Sequence, residues 1–73
     1  MNINIKRYEL NGKYIIKCSK VIIKDGSSLY SVEVLANDEV IDGATGILSK
    51  EEANDTYLRL RDRYTHLIKQ GIA

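Results

Sequence analysis

The residues with the types to do chemistry are few: the acidic neighbours Asp38-Glu39 and Glu51-Glu52, the single Cys18, the single His66, and the glycine run Gly43-Ala44-Thr45-Gly46. Acid–base catalysis by carboxylates needs two carboxyls facing each other across a cleft, with environments that push their pKa values apart. Neighbours in sequence point to different sides of a strand or helix. Asp38 and Glu39 suit a turn, and Glu51 and Glu52 suit the positive end of a helix. A cysteine nucleophile needs a histidine beside it and a third group to orient that histidine. Cys18 alternates with Tyr14 and Ile16, as a small hydrophobe on the apolar side of a strand does. His66 falls near a helix C-terminus, about 100° off the apolar stripe, where the dipole favours its charged form. The glycine run is separated from the following helix by Ile47, Leu48 and Ser49, and no Lys-Ser/Thr follows it as a phosphate loop requires. One cysteine excludes an internal disulfide. One cysteine and one histidine leave no nitrogen–sulfur set for zinc, which takes about four ligands. The expectation is a chain without catalytic, cofactor-binding or metal-ligating residues: not an enzyme.

Surface chemistry remains. Lys6, Arg7, Lys13, Lys17, Lys20 and Lys24 are interleaved with Tyr8 and Tyr14 along strand-like sequence. Sheets that bind single-stranded nucleic acid combine a basic groove with aromatic stacking platforms. Against this, the net charge is only +1, and phosphate contacts dominate nucleic-acid affinity. The charge is also divided. Residues 1–25 carry those six basic residues against Glu9 and Asp25, a balance of +4, whereas residues 26–49 carry only Glu33, Asp38, Glu39 and Asp42, a balance of −4. If those segments are adjacent strands, opposite charges pair across the sheet. On the helix, Arg59, Arg63 and His66 share a flank, and Leu58 stands more than about 100° off the stripe, where a second chain could cover it. The candidate interaction surface is therefore Arg7, Lys13, Lys17, Lys20 and Lys24 on the strands with Leu58, Arg59, Arg63 and His66 on the helix. The expected partner is another protein or a second copy in a homodimer. Weak binding of single-stranded or duplex nucleic acid is the alternative.

The elements that must position these residues follow from pattern. Residues 2–10 read as a first strand ending at Asn11-Gly12, the strongest short hairpin signal. Lys13 to Lys24 read as a second strand. Tyr14, Ile16 and Cys18 share one parity, but Val21 and Ile23 take the other, so a bulge or break is expected near Ser19-Lys20. Asp25-Gly26-Ser27-Ser28 is a turn. Leu29 to Ala36 alternate as a third strand, with Tyr30, Val32, Val34 and Ala36 on one face. Asn37-Asp38 is a second tight turn, Glu39 to Asp42 a short edge strand, and Gly43 to Gly46 a loop. The C-terminal third, Gly46 to Ile72, is dominated by one helix from about Lys50 to Gln70. Ser49 and Glu52 have capping-box spacing, and Gly71 marks the stop. At about 100° per residue, Ala53, Tyr57, Leu60, Tyr64, Leu67 and Ile68 form one stripe.

The expected fold is a single α+β domain spanning residues 1–73: an antiparallel meander of about four strands packed against one long C-terminal helix as a two-layer sandwich. In element order this resembles the half-modules of single-strand DNA-binding coactivators and Whirly proteins. A chain of this size buries only roughly 60% of its unfolded surface, which favours oligomerisation or well-idealised packing. No apolar run of about 7–15 residues opens the chain as a signal peptide would, and no run approaches the roughly 20 residues that span a bilayer. With its lone cysteine, the chain is expected to be cytoplasmic. Proline, tryptophan and phenylalanine are absent, and all five aromatics are tyrosine. Heavy use of Ile, Asn and Lys resembles proteins of AT-rich bacteria and their phages.

Overall fold

A computed structural model describes residues 2–71; Ile72, the end of the predicted C-terminal segment, lies outside the described residues. Four strands, β1 (Asn2–Leu10), β2 (Tyr14–Ile22), β3 (Ser28–Ala36) and β4 (Glu39–Ile47), precede one helix, α1 (Lys50–Lys69). The strands form an antiparallel sheet in the order β1-β2-β3-β4, and α1 packs on one face. This is the α+β meander-and-helix arrangement that the pattern predicts.

Local chemistry closes the meander. Asn11 and Gly12 both take positive φ, 54° and 65°, and the Lys13 amide donates to the Leu10 carbonyl at 2.8 Å. Asn37 and Asp38 repeat the geometry with φ of 53° and 66°. Two consecutive positive φ values give a turn whose twist matches the flanking strands. Between β2 and β3 the Asp25 carboxylate accepts from the Ser27 amide at 2.8 Å and from the Ser27 hydroxyl at 2.6 Å. The helix begins at Ser49, whose Oγ accepts from the Glu51 and Glu52 amides, satisfying donors that the first turn leaves open. It ends with Gln70 as C-cap and Gly71 at φ 71°, its amide on the Ile68 carbonyl.

The core lies between sheet and helix. Leu10, Ile16, Cys18, Val32 and Val34 from the sheet meet Ala53, Tyr57, Leu60 and Tyr64 from the predicted stripe, with Leu67 and Ile68 packed at its margin. Ile16, Val32 and Val34 are fully buried. Full burial of such a side chain contributes about 1.5–3 kcal/mol. Tyr14 meets Tyr64 as a tilted pair with centroids 4.9 Å apart.

Two strands depart from expectation. β2 does not break near Ser19-Lys20: it pairs with β3 without irregularity from Tyr14↔Ala36 to Ile22↔Ser28. The bulge lies across the ladder in β1, between Asn4 and Lys6. The parity change is real but needs no kink. The buried apolar rows of β2 and β3 stop at Cys18 and Val32; Ser19 is buried beside Cys18, and past it Lys20, Val21, Ile22 and, across the ladder, Tyr30 are half-buried. Where no helix covers the sheet, no face demands apolar residues. Likewise β4 does not end at Asp42. It continues to Ile47 through the glycine run, with register shifts opposite Val34–Leu35 and opposite Tyr30–Val32. Bulges of this kind twist an edge strand and blunt it against further pairing.

Gly43 makes that continuation possible. Its φ is 143°, and a Cβ placed there would lie 2.2 Å from the Val32 carbonyl oxygen. A 73-residue domain has a total stability of roughly 4–11 kcal/mol at typical per-residue values. Gly43→Ala is expected to lower it by about 2 kcal/mol or more, because a strained φ and a backbone clash coincide. Gly12→Ala, with φ 65° but open space around it, is expected to cost about 1 kcal/mol. Urea unfolding of both variants checks the order; equal midpoints would show that the β3–β4 approach is slack.

Candidate interaction surface

The helix face of the sheet is built by parity. Lys6, Tyr8 and Leu10 of β1 align with Cys18, Ile16 and Tyr14 of β2, and those with Val32, Val34 and Ala36 of β3. Only Leu10 of the three β1 residues is buried. The other two engage α1 through charge on aromatic rings. Lys6 Nζ sits 5.3 Å from the Tyr57 ring centroid and also bonds Asn54 Oδ1, while Arg61 sits 5.1 Å from the Tyr8 ring. At the opposite flank, Asp42 of β4 joins sheet to helix. Its Oδ2 accepts from the Tyr64 hydroxyl at 3.0 Å and from Arg63 at 3.2 Å, and its Oδ1 from the Gly43 amide at 2.8 Å. Desolvation pushes the Asp42 pKa upward and is the largest single influence, but the Gly43 amide, Tyr64 and Arg63 together outweigh it and hold the carboxyl below 3.8. The same contact works in reverse on Tyr64, whose pKa rises through burial and then through the Asp42 bond.

Cys18 is buried, and burial pushes its thiol pKa up, with only partial opposition from Lys6. It forms part of a groove of about 570 Å³ between β1 and the start of α1, with Ile5, Lys6, Lys50, Glu51, Asn54 and Asp55. A protonated thiol is a poor nucleophile, and Lys6 is already engaged by Asn54 and Tyr57. Among the described residues no group of three or more His, Cys, Asp or Glu side chains is arranged to hold a metal ion, and no helix is long and apolar enough to cross a membrane.

The structure scatters the predicted surface. Lys13 and Lys24 lie in turns at opposite ends of β2, about 30 Å apart for a nine-residue strand. Lys20 has helix-face parity opposite Tyr30, whereas Arg7 and Lys17 lie side by side on the other face. Tyr8 and Tyr14, the expected stacking platforms, face the helix, with Tyr14 in tilted contact with Tyr64. On α1, Leu58 is 38% exposed beside Arg61 on the β1 flank. Arg59 is exposed and hydrogen-bonded to Thr56, Arg63 is held by Asp42, and His66 contacts Gln70. The strand-borne and helix-borne groups therefore do not meet in one patch.

What the residue types did not reveal is the face of the sheet away from α1. Register places Ile15, Leu35 and Val40 in one row across β2, β3 and β4, and Val21 beside Leu29 in another. Arg7, Lys17 and Glu33 form the row between them, and Asn4, Ser19 and Ser31 a polar one. Ile15, Val21, Leu29 and Leu35 are half-buried and Val40 is 57% exposed. A signal was present. β2 and β3 carry apolar residues at both parities, the mark of strands that are covered on both faces.

Cross-strand charge pairing, expected from the +4 and −4 segments, takes another form. Lys17 stands directly opposite Glu33, yet the ion pairs among the described residues are Arg7–Glu9 within β1 and Arg63–Asp42 between helix and sheet. Neither Lys17 nor Glu33 closes an ion pair among the described residues. Comparison with known protein families, curated proteins and solved structures yields no match to this chain.

The Asp42 contact predicts a pH dependence. A carboxylate whose folded pKa is depressed contributes stability that is fully present above its unfolded value, 3.8 here, and is lost as pH falls through the lower folded value. Asp42→Asn is expected to cost about 1.5–2 kcal/mol at pH 7, the low end of the range for hydrogen bonds to a charged group, because the carboxylate is partly exposed. It should also flatten the fall in stability below that value. The slope that remains includes Asp25, lowered first by the Ser27 hydroxyl and then by the Ser27 amide. Urea titrations from pH 7 to pH 2.5 on both proteins check this; an unchanged slope would remove Asp42 from the acid response.

Proposed function

We propose that this protein is a small, non-catalytic interaction module whose binding surface is the open face of its sheet, and whose partner is another protein or a second copy of itself. One observation carries the reading. The apolar rows Ile15–Leu35–Val40 and Val21–Leu29 lie on the face that α1 leaves uncovered. Exposed apolar side chains grouped on one sheet face, here in two rows with polar rows between them, are surface whose burial against a partner releases water from both. The rim and middle of this face supply the polar component: Glu9, Arg7, Lys17, Glu33, Asn4 and Ser31. Nucleic acid draws less support from the same geometry. Tyr8 and Tyr14 are turned toward the helix, and Arg7 and Lys17 share their row with Glu33.

Site-specific photo-cross-linking tests the surface. A benzophenone side chain in place of Val40 is expected to yield covalent adducts with a protein in cells that express the chain. The same probe at Asp62, exposed on the outer side of α1, is expected to yield none. Adducts at Asp62 but not at Val40 would relocate the binding surface to the helix. Fluorescence anisotropy with single- and double-stranded oligonucleotides at two salt concentrations tests the alternative. Tight binding that weakens steeply with salt would replace this reading with nucleic-acid recognition.

A further inference from the structure

We infer that the occupant of the open face is a second copy of this chain, stacked face to face about a two-fold axis that runs parallel to the strands between β2 and β3. The inference rests on the open face being the binding surface and adds the partner and the geometry.

The face is complementary to itself under that operation. The axis carries β2 of one protomer onto β3 of the other, and β1 onto β4. Residues that are neighbours across β2 and β3 therefore meet their neighbour's copy. Ile15 falls on the partner's Leu35, Val21 on the partner's Leu29, and Lys17 on the partner's Glu33, all from the one register. On the two central strands apolar meets apolar and cation meets anion; at the edges Glu9 of β1 lies over the partner's Val40, and Arg7 over the partner's Gly43. A two-fold axis perpendicular to the strands does the opposite. It lays β2 on β2 and β3 on β3, so Lys17 never meets Glu33, and only the axis parallel to the strands pairs the two charges.

Charge and area agree with this choice. Of the charges on this face, Lys17 lies on β2 and Glu33 on β3, so the operation places each over the partner's copy of the other. Lys17 and Glu33 have no ion-pair partner within the chain among the described residues, which leaves both available. Four strands about 4.8 Å apart and nine residues at about 3.3 Å each give a face of roughly 600 Å². Two stacked faces bury roughly 1,200 Å², at the lower bound of a standard stable interface. Aligned packing at about 30° is also the geometry that two twisted sheets adopt.

Charge exchange tests the pairing. Sedimentation equilibrium is expected to show a dimer for the wild type. It is expected to show dissociation constants raised about tenfold or more for Lys17→Glu and for Glu33→Lys, each of which sets like charges together at two symmetric places. Circular dichroism confirms that both variants are folded. An equimolar mixture of the two is expected to recover a mixed dimer, within about threefold of wild-type affinity, with one chain of each kind. Each variant alone carries two like charges side by side in its own sheet, so only pairing between chains explains recovery. If a single variant fails to fold, the double variant Lys17→Glu/Glu33→Lys gives the same information: it is expected to pair with itself and to refuse the wild type. A wild type that is monomeric at about 0.5 mM, where even millimolar affinity would register, overturns the inference. So does a mixture without recovery, or free mixing of the double variant with the wild type. A monomer that still cross-links through Val40 to a different protein removes the second copy but leaves the binding surface standing; a monomer with no Val40 adduct removes both.

Discussion

One helix cannot cover both faces of a sheet, and this constraint orders the molecule. A helix with its side chains is about 10–12 Å across, whereas four strands span about 19 Å. α1 lies mainly over β2 and β3, whose Ile16, Cys18, Val32 and Val34 make the sheet's share of the core with Leu10. The edge strands sit under its flanks, and the far face sits under nothing among the described residues. The thin core of a small domain is here a consequence of layer number: two layers give one apolar interface.

The flanks of the helix are seated by polar contacts because apolar packing does not reach them. On the β1 side, Lys6 lies over Tyr57 and Arg61 over Tyr8. On the β4 side, Asp42 binds both Tyr64 and Arg63. Each contact joins one edge strand to one side of α1, and together they oppose rolling of the helix about its axis. Tyr57 and Tyr64 thus serve twice, with their rings in the core and with a ring face or hydroxyl at its boundary. This is the use that suits an amphipathic aromatic. Arg63 and Tyr8 look like free recognition side chains in the sequence, but the fold employs them here.

The open face combines apolar and polar side chains in rows set by strand register. Its apolar rows alternate with a charged row, and the charge in that row changes sign at the centre of the sheet, between β2 and β3. Apolar burial supplies the attraction in such an interface, while the charges fix register and exclude the wrong orientation. Oligomerisation is one of the routes by which domains of this size gain the stability that a single core does not supply.

The sequence by itself determined every element whose cause is local. Asn11-Gly12 and Asn37-Asp38 determined two turns, because positive φ is tolerated there. Ser49 and Gly71 determined the ends of the helix, because they satisfy its open donors and acceptors. The stripe Ala53, Tyr57, Leu60 and Tyr64 determined the buried side of α1, because 3.6-residue periodicity is geometry. Only the tertiary structure decided where the β-bulges fall, since the parity change after Cys18 reads as a kink until it is seen that the helix no longer covers the sheet there. Only it decided that β4 passes through Gly43, which depends on the approach of the Val32 carbonyl from another strand. The surface followed the same division. Arg7, Lys13, Lys17, Lys20 and Lys24 look like one basic group along the chain, but strand parity sends them to two faces and two ends. Ile15, Leu35 and Val40 are scattered along the chain and become one row only through register. Residue type determines what a side chain can do, but pairing between distant strands determines which side chains do it together.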